Sequence, residues 1–210
     1  MDGVIFDSEK MYMECCIQAA KIFGAENIEK VVLSCIGVNT ENTFRIYREA
    51  YGDDFPLEEF WKEATGRFAE MAQDGLLPVK EGAQALLSFL REKNIPLALA
   101  SSTRTEMVLR ELKAAGLDGY FDVITGGDMT SKSKPEPDIF LLAAEKLGVS
   151  AADCIIIEDS FNGVRAARAA GAFVIMVPDI AQPDDEMKMA ADLILPSLVE
   201  VREKITELIL

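Results

Sequence analysis

The rhythm of hydrophobic and polar positions changes near Pro78. Beyond it, short runs that are apolar throughout alternate with longer stretches whose apolar residues recur every three or four positions. The runs IPLALAS (95–101), DVITG (122–126), CIIIE (154–158) and FVIMV (173–177) predict strands; the stretches 81–93, 105–115, 137–147 and 162–170 predict helices. Strands apolar on every position are buried on both faces, which belongs to a parallel sheet covered by helices on either side. The pattern therefore predicts a doubly wound α/β domain, with DLIL (192–195) and 197–208 adding one more strand and helix.

The earlier part of the chain follows only the helical period. MYMECCIQAAKIF, ENTFRIYREAY and LEEFWKEATGRFAEM are separated by breaks near Gly24, Gly37 and Gly52-Asp53. The expectation is an all-helical insert over residues 10–77, packed on a core made of residues 1–9 and 78–210. MDGVIFDSE at the start reads as a loop that follows a strand, although no strand stands before it.

Composition narrows the chemistry. Half of the 210 residues are hydrophobic, enough for a sizeable core and against disorder. A formal charge of −15 argues against a nucleic-acid partner and against attraction to an anionic membrane surface. An anionic substrate must then be gathered by local donors or a cation. Cys15, Cys16, Cys35 and Cys154 show no metal-ligand spacing. There is no leader-like start, and no uncharged apolar run reaches bilayer length, so the expected setting is the cytoplasm with reduced thiols. The absence of histidine excludes an imidazole base and a His-ligated zinc, leaving proton transfer to carboxylates.

In open parallel sheets the site lies beyond the carboxyl ends of the strands. Three segments end there with polar residues: Ser101-Ser102-Thr103-Arg104, Ser133-Lys134-Pro135 and Glu158-Asp159-Ser160, joined by Asp2 and Asp7 of the opening loop. Ser101 and Ser102 suit either helix caps or ligand contacts. Arg104 suits either a helix charge or an anion contact, and Lys134 is either a solvated charge or a group fixed by its proline-stiffened loop. Adjacent Glu158 and Asp159 repel each other unless a hard cation with oxygen ligands, such as Mg²⁺, lies between them. Together these parts describe a phosphoryl-transfer site. The order Asp2, Ser101, Lys134, Glu158-Asp159 excludes a receiver domain, in which the lysine comes last.

That order and spacing resemble the haloacid dehalogenase-like superfamily, in its branch of helical-cap phosphatases and β-phosphoglucomutase-like proteins. MDGVIFDSE, ALASST, SKSKPEPDIF and IIIEDSFNG resemble its four motifs and span nearly the whole chain. The resemblance implies a Mg²⁺-dependent phosphatase acting on a small phosphorylated molecule, a sugar phosphate in the first instance, through an aspartyl-phosphate. It assigns Asp2 as general acid and base and Asp2, Glu158 and Asp159 to the metal. Ser101 and Lys134 would hold the phosphoryl group, with Ser102 and Arg104 as further substrate contacts. The nucleophile would be an aspartate two positions before Asp2, so the first core strand and that residue are expected upstream of Met1; without them, two half-sheets with unpaired inner edges should remain.

The resemblance also places the hinges near Asp7-Ser8 and Leu77-Pro78-Val79, and leaves the oligomeric state open. Thr40 stands where a mutase would carry a phosphate-binding arginine, and Tyr12 near where it would carry a histidine. Both departures favour hydrolysis. A mutase using Arg45 or Arg48 is the second reading, and an inactive binding domain the third.

Overall fold

A computed structural model describes residues 1–72 and 77–209. Residues 73–76, at the end of the stretch read as the helical insert, and Leu210 lie outside it. Four helices come first: α1 (Glu9–Phe23), α2 (Ile28–Cys35), α3 (Thr40–Tyr51) and α4 (Leu57–Met71). Then α5 (Ala83–Glu92), β1 (Ala98–Ala100), α6 (Thr105–Ala114), β2 (Val123–Thr125), α7 (Asp138–Leu147) and β3 (Ile155–Glu158) alternate. α8 (Phe161–Ala169), β4 (Phe173–Met176), α9 (Asp185–Ala190), β5 (Leu193–Ile194) and α10 (Leu198–Ile209) complete the chain.

The fold is α/β with a helical cap. Each predicted strand is present but shorter. The run 95–101 yields only Ala98–Ala100, because Pro96 cannot donate to a ladder and Asn94 turns the chain at φ 55. α2 and α9 escape the sequence reading because each offers no more than two turns of periodicity. α9 begins where the Asp184 carboxylate accepts the Met187 amide at 2.8 Å.

All named strands pair in parallel, in two groups: β1 with β2, and β3 with β4 and β5. The two groups belong to one layer. Leu99 of β1 and Ile157 of β3 pack in the same cluster with α5, α6 and α10, while Ala100 and Ile156 face the opposite cluster with α7 and α8. Yet β1 and β3 share no hydrogen bond, so the layer is split between them. Ile155 is 39% exposed although its strand reads as fully buried, which is what a strand lacking a neighbour looks like.

The cap has a core of its own. Cys16, Ala19, Val32, Tyr47, Phe60 and Ala64 form a separate buried cluster, with small residues on α1 letting α4 approach closely. Tyr47, Phe55 and Phe60 interlock with ring centroids 5.4 and 5.5 Å apart. The two chain crossings into the cap run side by side, the Asp7 amide donating to the Pro78 carbonyl and the Lys80 amide to Ile5, both at 2.9 Å. Buried Asp179, in the loop after β4, ties both crossings by pairing with Lys10 at 3.4 Å and Lys80 at 3.0 Å.

Replacing Phe60, which is fully buried, by alanine is expected to cost about 3–5 kcal/mol of unfolding free energy in urea titration. A loss below about 1 kcal/mol, the range of surface changes, would contradict the assigned cap core.

Candidate active site

The site is built at the carboxyl ends of β1 and β3, where helix starts and loops converge. After β1 the chain turns sharply, and the Ser101 hydroxyl accepts the Thr103 amide at 3.1 Å. Thr103 then donates its hydroxyl to Asp2 at 2.9 Å, while Ser8 donates to the other Asp2 oxygen at 3.1 Å. Asp2 is thereby oriented from two sides. The sequence places Thr103 at a strand end and Ser8 near a hinge but gives neither this part, since a hydroxyl that aims a carboxylate looks like any turn residue.

After β3 a tight knot of charge forms. Lys134 and Glu158 make a buried ion pair, and the second Glu158 oxygen accepts the Asp159 amide, the Ser160 amide and the Ser160 hydroxyl at 3.0–3.2 Å. Burial opposes the charge on Glu158, but Lys134 and these donors hold its carboxyl below the ordinary value. Both Glu158 oxygens are thus engaged inside the protein. Its role here is to anchor Lys134 and shape the turn into α8, which Ser160 caps by accepting the Gly163 amide at 3.0 Å.

Asp159 has the opposite environment. It is 7% exposed, and its carboxylate has no hydrogen bond among those found for the described residues. Burial, and then the negative charge of Glu158, push its pKa well above the usual carboxylate value. Gly3, at φ 70, lies against it so closely that a Cβ there would overlap the carboxylate. Asp159 therefore packs against the backbone of the residue that follows Asp2, and both acids line the same cavity. Carboxylate oxygens are the donors a hard cation takes, although no group of three ligating side chains gathers among the described residues.

All seven residues picked from sequence, Asp2, Ser101, Ser102, Arg104, Lys134, Glu158 and Asp159, line one cavity of about 780 Å³ between core and cap. Their surroundings within it differ. Arg104 is exposed at the rim. The Ser102 hydroxyl is spent on the cap, donating to the Gly37 carbonyl at 3.1 Å. Asn162 donates to the Ile36 carbonyl at 3.2 Å, and Asn42 to Ser133 at 2.7 Å. The cap is closed over the site by these contacts. The cavity also receives two acids the sequence reading passed over: burial, and then the charge of Asp2, push Glu9 to about 8 and Glu111 to about 7.

Residues 1–177 match the haloacid dehalogenase-like hydrolase family. The phosphorylated carbohydrates phosphatase of Thermotoga maritima is 35% identical over 171 residues, covering 81% of this chain and 79% of that protein. The bifunctional riboflavin kinase/FMN phosphatase of Arabidopsis thaliana is 35% identical over 203 residues, covering 96% of this chain but 51% of that protein. Among solved structures, CbbY from Rhodobacter sphaeroides in complex with phosphate superposes with a TM-score of 0.77 at 28% identity, over 96% of this chain and 93% of that one. No helix among the described residues is long and apolar enough to cross a membrane.

The Glu9 environment has a measurable consequence. A carboxyl whose folded pKa is raised favours the folded state below its ordinary pKa, and loses that contribution as pH rises through the folded value. Without divalent cations, stability should therefore fall between pH 4.5 and about 8, with a Glu9 share on the order of 5 kcal/mol. Urea unfolding across this range should show a shallower slope for Glu9→Gln. Parallel slopes for the two proteins would contradict the assignment.

Proposed function

Because this chain belongs to the haloacid dehalogenase-like hydrolase family, we propose that the cavity under the cap is where a small phosphomonoester, a sugar phosphate in the first instance, is hydrolysed with the help of Mg²⁺. One observation carries this reading: Asp2, Ser101, Lys134 and Asp159 come from four separate segments and line the same cavity. Their chemistry is complementary to a phosphoryl group in transfer.

Lys134 and the Ser101 hydroxyl hold the phosphoryl oxygens. Lys134 is fixed for this by Glu158 on one side and by the Phe140 ring, 4.8 Å from its nitrogen, on the other. Asp2, aimed by Ser8 and Thr103, gives a proton to the leaving alcohol and later takes one from water. The Asp2 carbonyl and the Asp159 carboxylate would hold Mg²⁺, with Glu158 as a neighbour. The ion supplies neutralisation of phosphoryl charge when bound. The cap excludes bulk water.

The attacking group of this mechanism is an aspartate that forms an aspartyl-phosphate, and its proposed place is on a core strand upstream of Met1. The open edge between β1 and β3 supports that placement, since one parallel strand there would join the half-sheets and end beside Asp2.

Hydrolysis is favoured over a mutase by the cap. Thr40 lines the cavity, whereas Arg45 is outside it and paired with Glu49 at 2.6 Å, and Arg48 also lies in the outer groove. A phosphate held from the cap would meet no cation there.

The test is phosphate release from a panel of sugar and other small phosphates, using the protein with any residues its gene encodes ahead of Met1. Release should need Mg²⁺ and stop with chelator. Asp2→Asn should lower kcat by about 10²–10⁴-fold while leaving the melting temperature within a few degrees. Isomerised sugar phosphate without release would favour the mutase, and silence on both a binding domain.

A further inference from the structure

Gly3 follows Asp2 and packs against the Asp159 carboxylate, so any turn of its backbone moves one acid relative to the other. A glycine has no side chain to restrict its dihedrals, and Gly3 sits at φ 70, a region other residues rarely share. Its geometry is therefore set by what holds the peptide group on each side. The group shared with Asp2 is held through the Gly3 amide, which donates to the Phe6 carbonyl at 3.0 Å. The group shared with Val4 is held through the Gly3 carbonyl, and there the donor is a side chain: the Lys80 ammonium reaches it at 2.6 Å.

Lys80 comes from the second chain crossing, 77 positions along, and lies outside the lining of the cavity. Its amide donates to the Ile5 carbonyl, which lays the residue alongside the opening loop. Holding a carbonyl with a lysine costs side-chain freedom and hydration, since the Lys80 side chain is only 16% exposed. Its charge is matched by buried Asp179 at 3.0 Å, and a charged donor makes the stronger bond to the carbonyl. Lys10 pairs with the same Asp179 oxygen but is 64% exposed, and its other ionic partner is Asp7.

We propose that Lys80 is a positioning residue for the phosphatase reaction, which holds the Gly3 carbonyl and so fixes the Asp2-Gly3 turn against Asp159 where the cation is to bind. This rests on the phosphatase reading and adds to it a residue outside the cavity. Lys80 touches neither substrate nor ion, and its charge by itself would repel a divalent cation. Position and charge therefore act in opposite directions on cation affinity, which tells them apart.

Mn²⁺ binding, followed by loss of the free ion's electron paramagnetic resonance signal, reads this without turnover. It uses the protein with any residues its gene encodes ahead of Met1. Lys80→Met should weaken Mn²⁺ about tenfold and lower kcat on p-nitrophenyl phosphate by about 10–100-fold, with KM changed less than about twofold. Because this variant takes a partner from Asp179, Lys80→Met/Asp179→Asn is measured beside it, and it should show the same losses. Asp179→Asn alone leaves Lys80 on Gly3, and Lys10→Met removes only the outer pair, so both should bind Mn²⁺ within about twofold of wild type. The proposal is overturned if the Lys80 variants bind Mn²⁺ as tightly as wild type or more tightly, or if Lys10→Met or Asp179→Asn loses as much as they do. The phosphatase reading fails on different grounds, a wild-type protein that releases no phosphate from any ester.

Discussion

The site depends on burying Lys134, from the loop before α7, against two adjacent carboxylates at the end of β3. An ion pair taken out of water gains little unless each remaining lone pair and proton finds a partner. Glu158 meets that condition, with Lys134 on one oxygen and three donors on the other. Asp159 does not. The surplus negative charge must be removed by a proton or matched by a cation, and the place where this happens adjoins Gly3 and Asp2. Stability and function pull apart here. The arrangement is poor as packing and well suited to gathering an anionic ester in a chain whose overall charge repels it.

The cap completes the same logic. Its polar contacts with the core come from Ser102, Asn162 and Asn42, while Met11 and Phe68 pack against the core cluster; the cap's own buried cluster is a separate one. Asp179, joined to lysines on both crossings, fixes the pivot rather than the lid itself.

Much of this was legible in the sequence because the signals were strong and local. Uniformly apolar runs gave the parallel strands, and polar residues at their ends gave Ser101, Lys134 and the Glu158-Asp159 pair. What only the structure shows is how these residues act on one another. Thr103 and Ser8 matter because they aim Asp2, and Ser102 because its hydroxyl reaches across to Gly37; such pairings span up to 101 positions of sequence and leave no local pattern. Sequence treated Glu158 and Asp159 alike. Geometry separates them, because only one of the two sits beside Lys134. The place of Arg45 was equally hidden, since helical spacing alone does not say which face of α3 meets the core.

The most direct test of this account is a crystal structure of the chain with Mn²⁺, located by its anomalous scattering, and phosphate. The account predicts the ion between Asp2 and Asp159 and the phosphate on Ser101 and Lys134. An ion bound elsewhere, or a phosphate held by the cap, would contradict it.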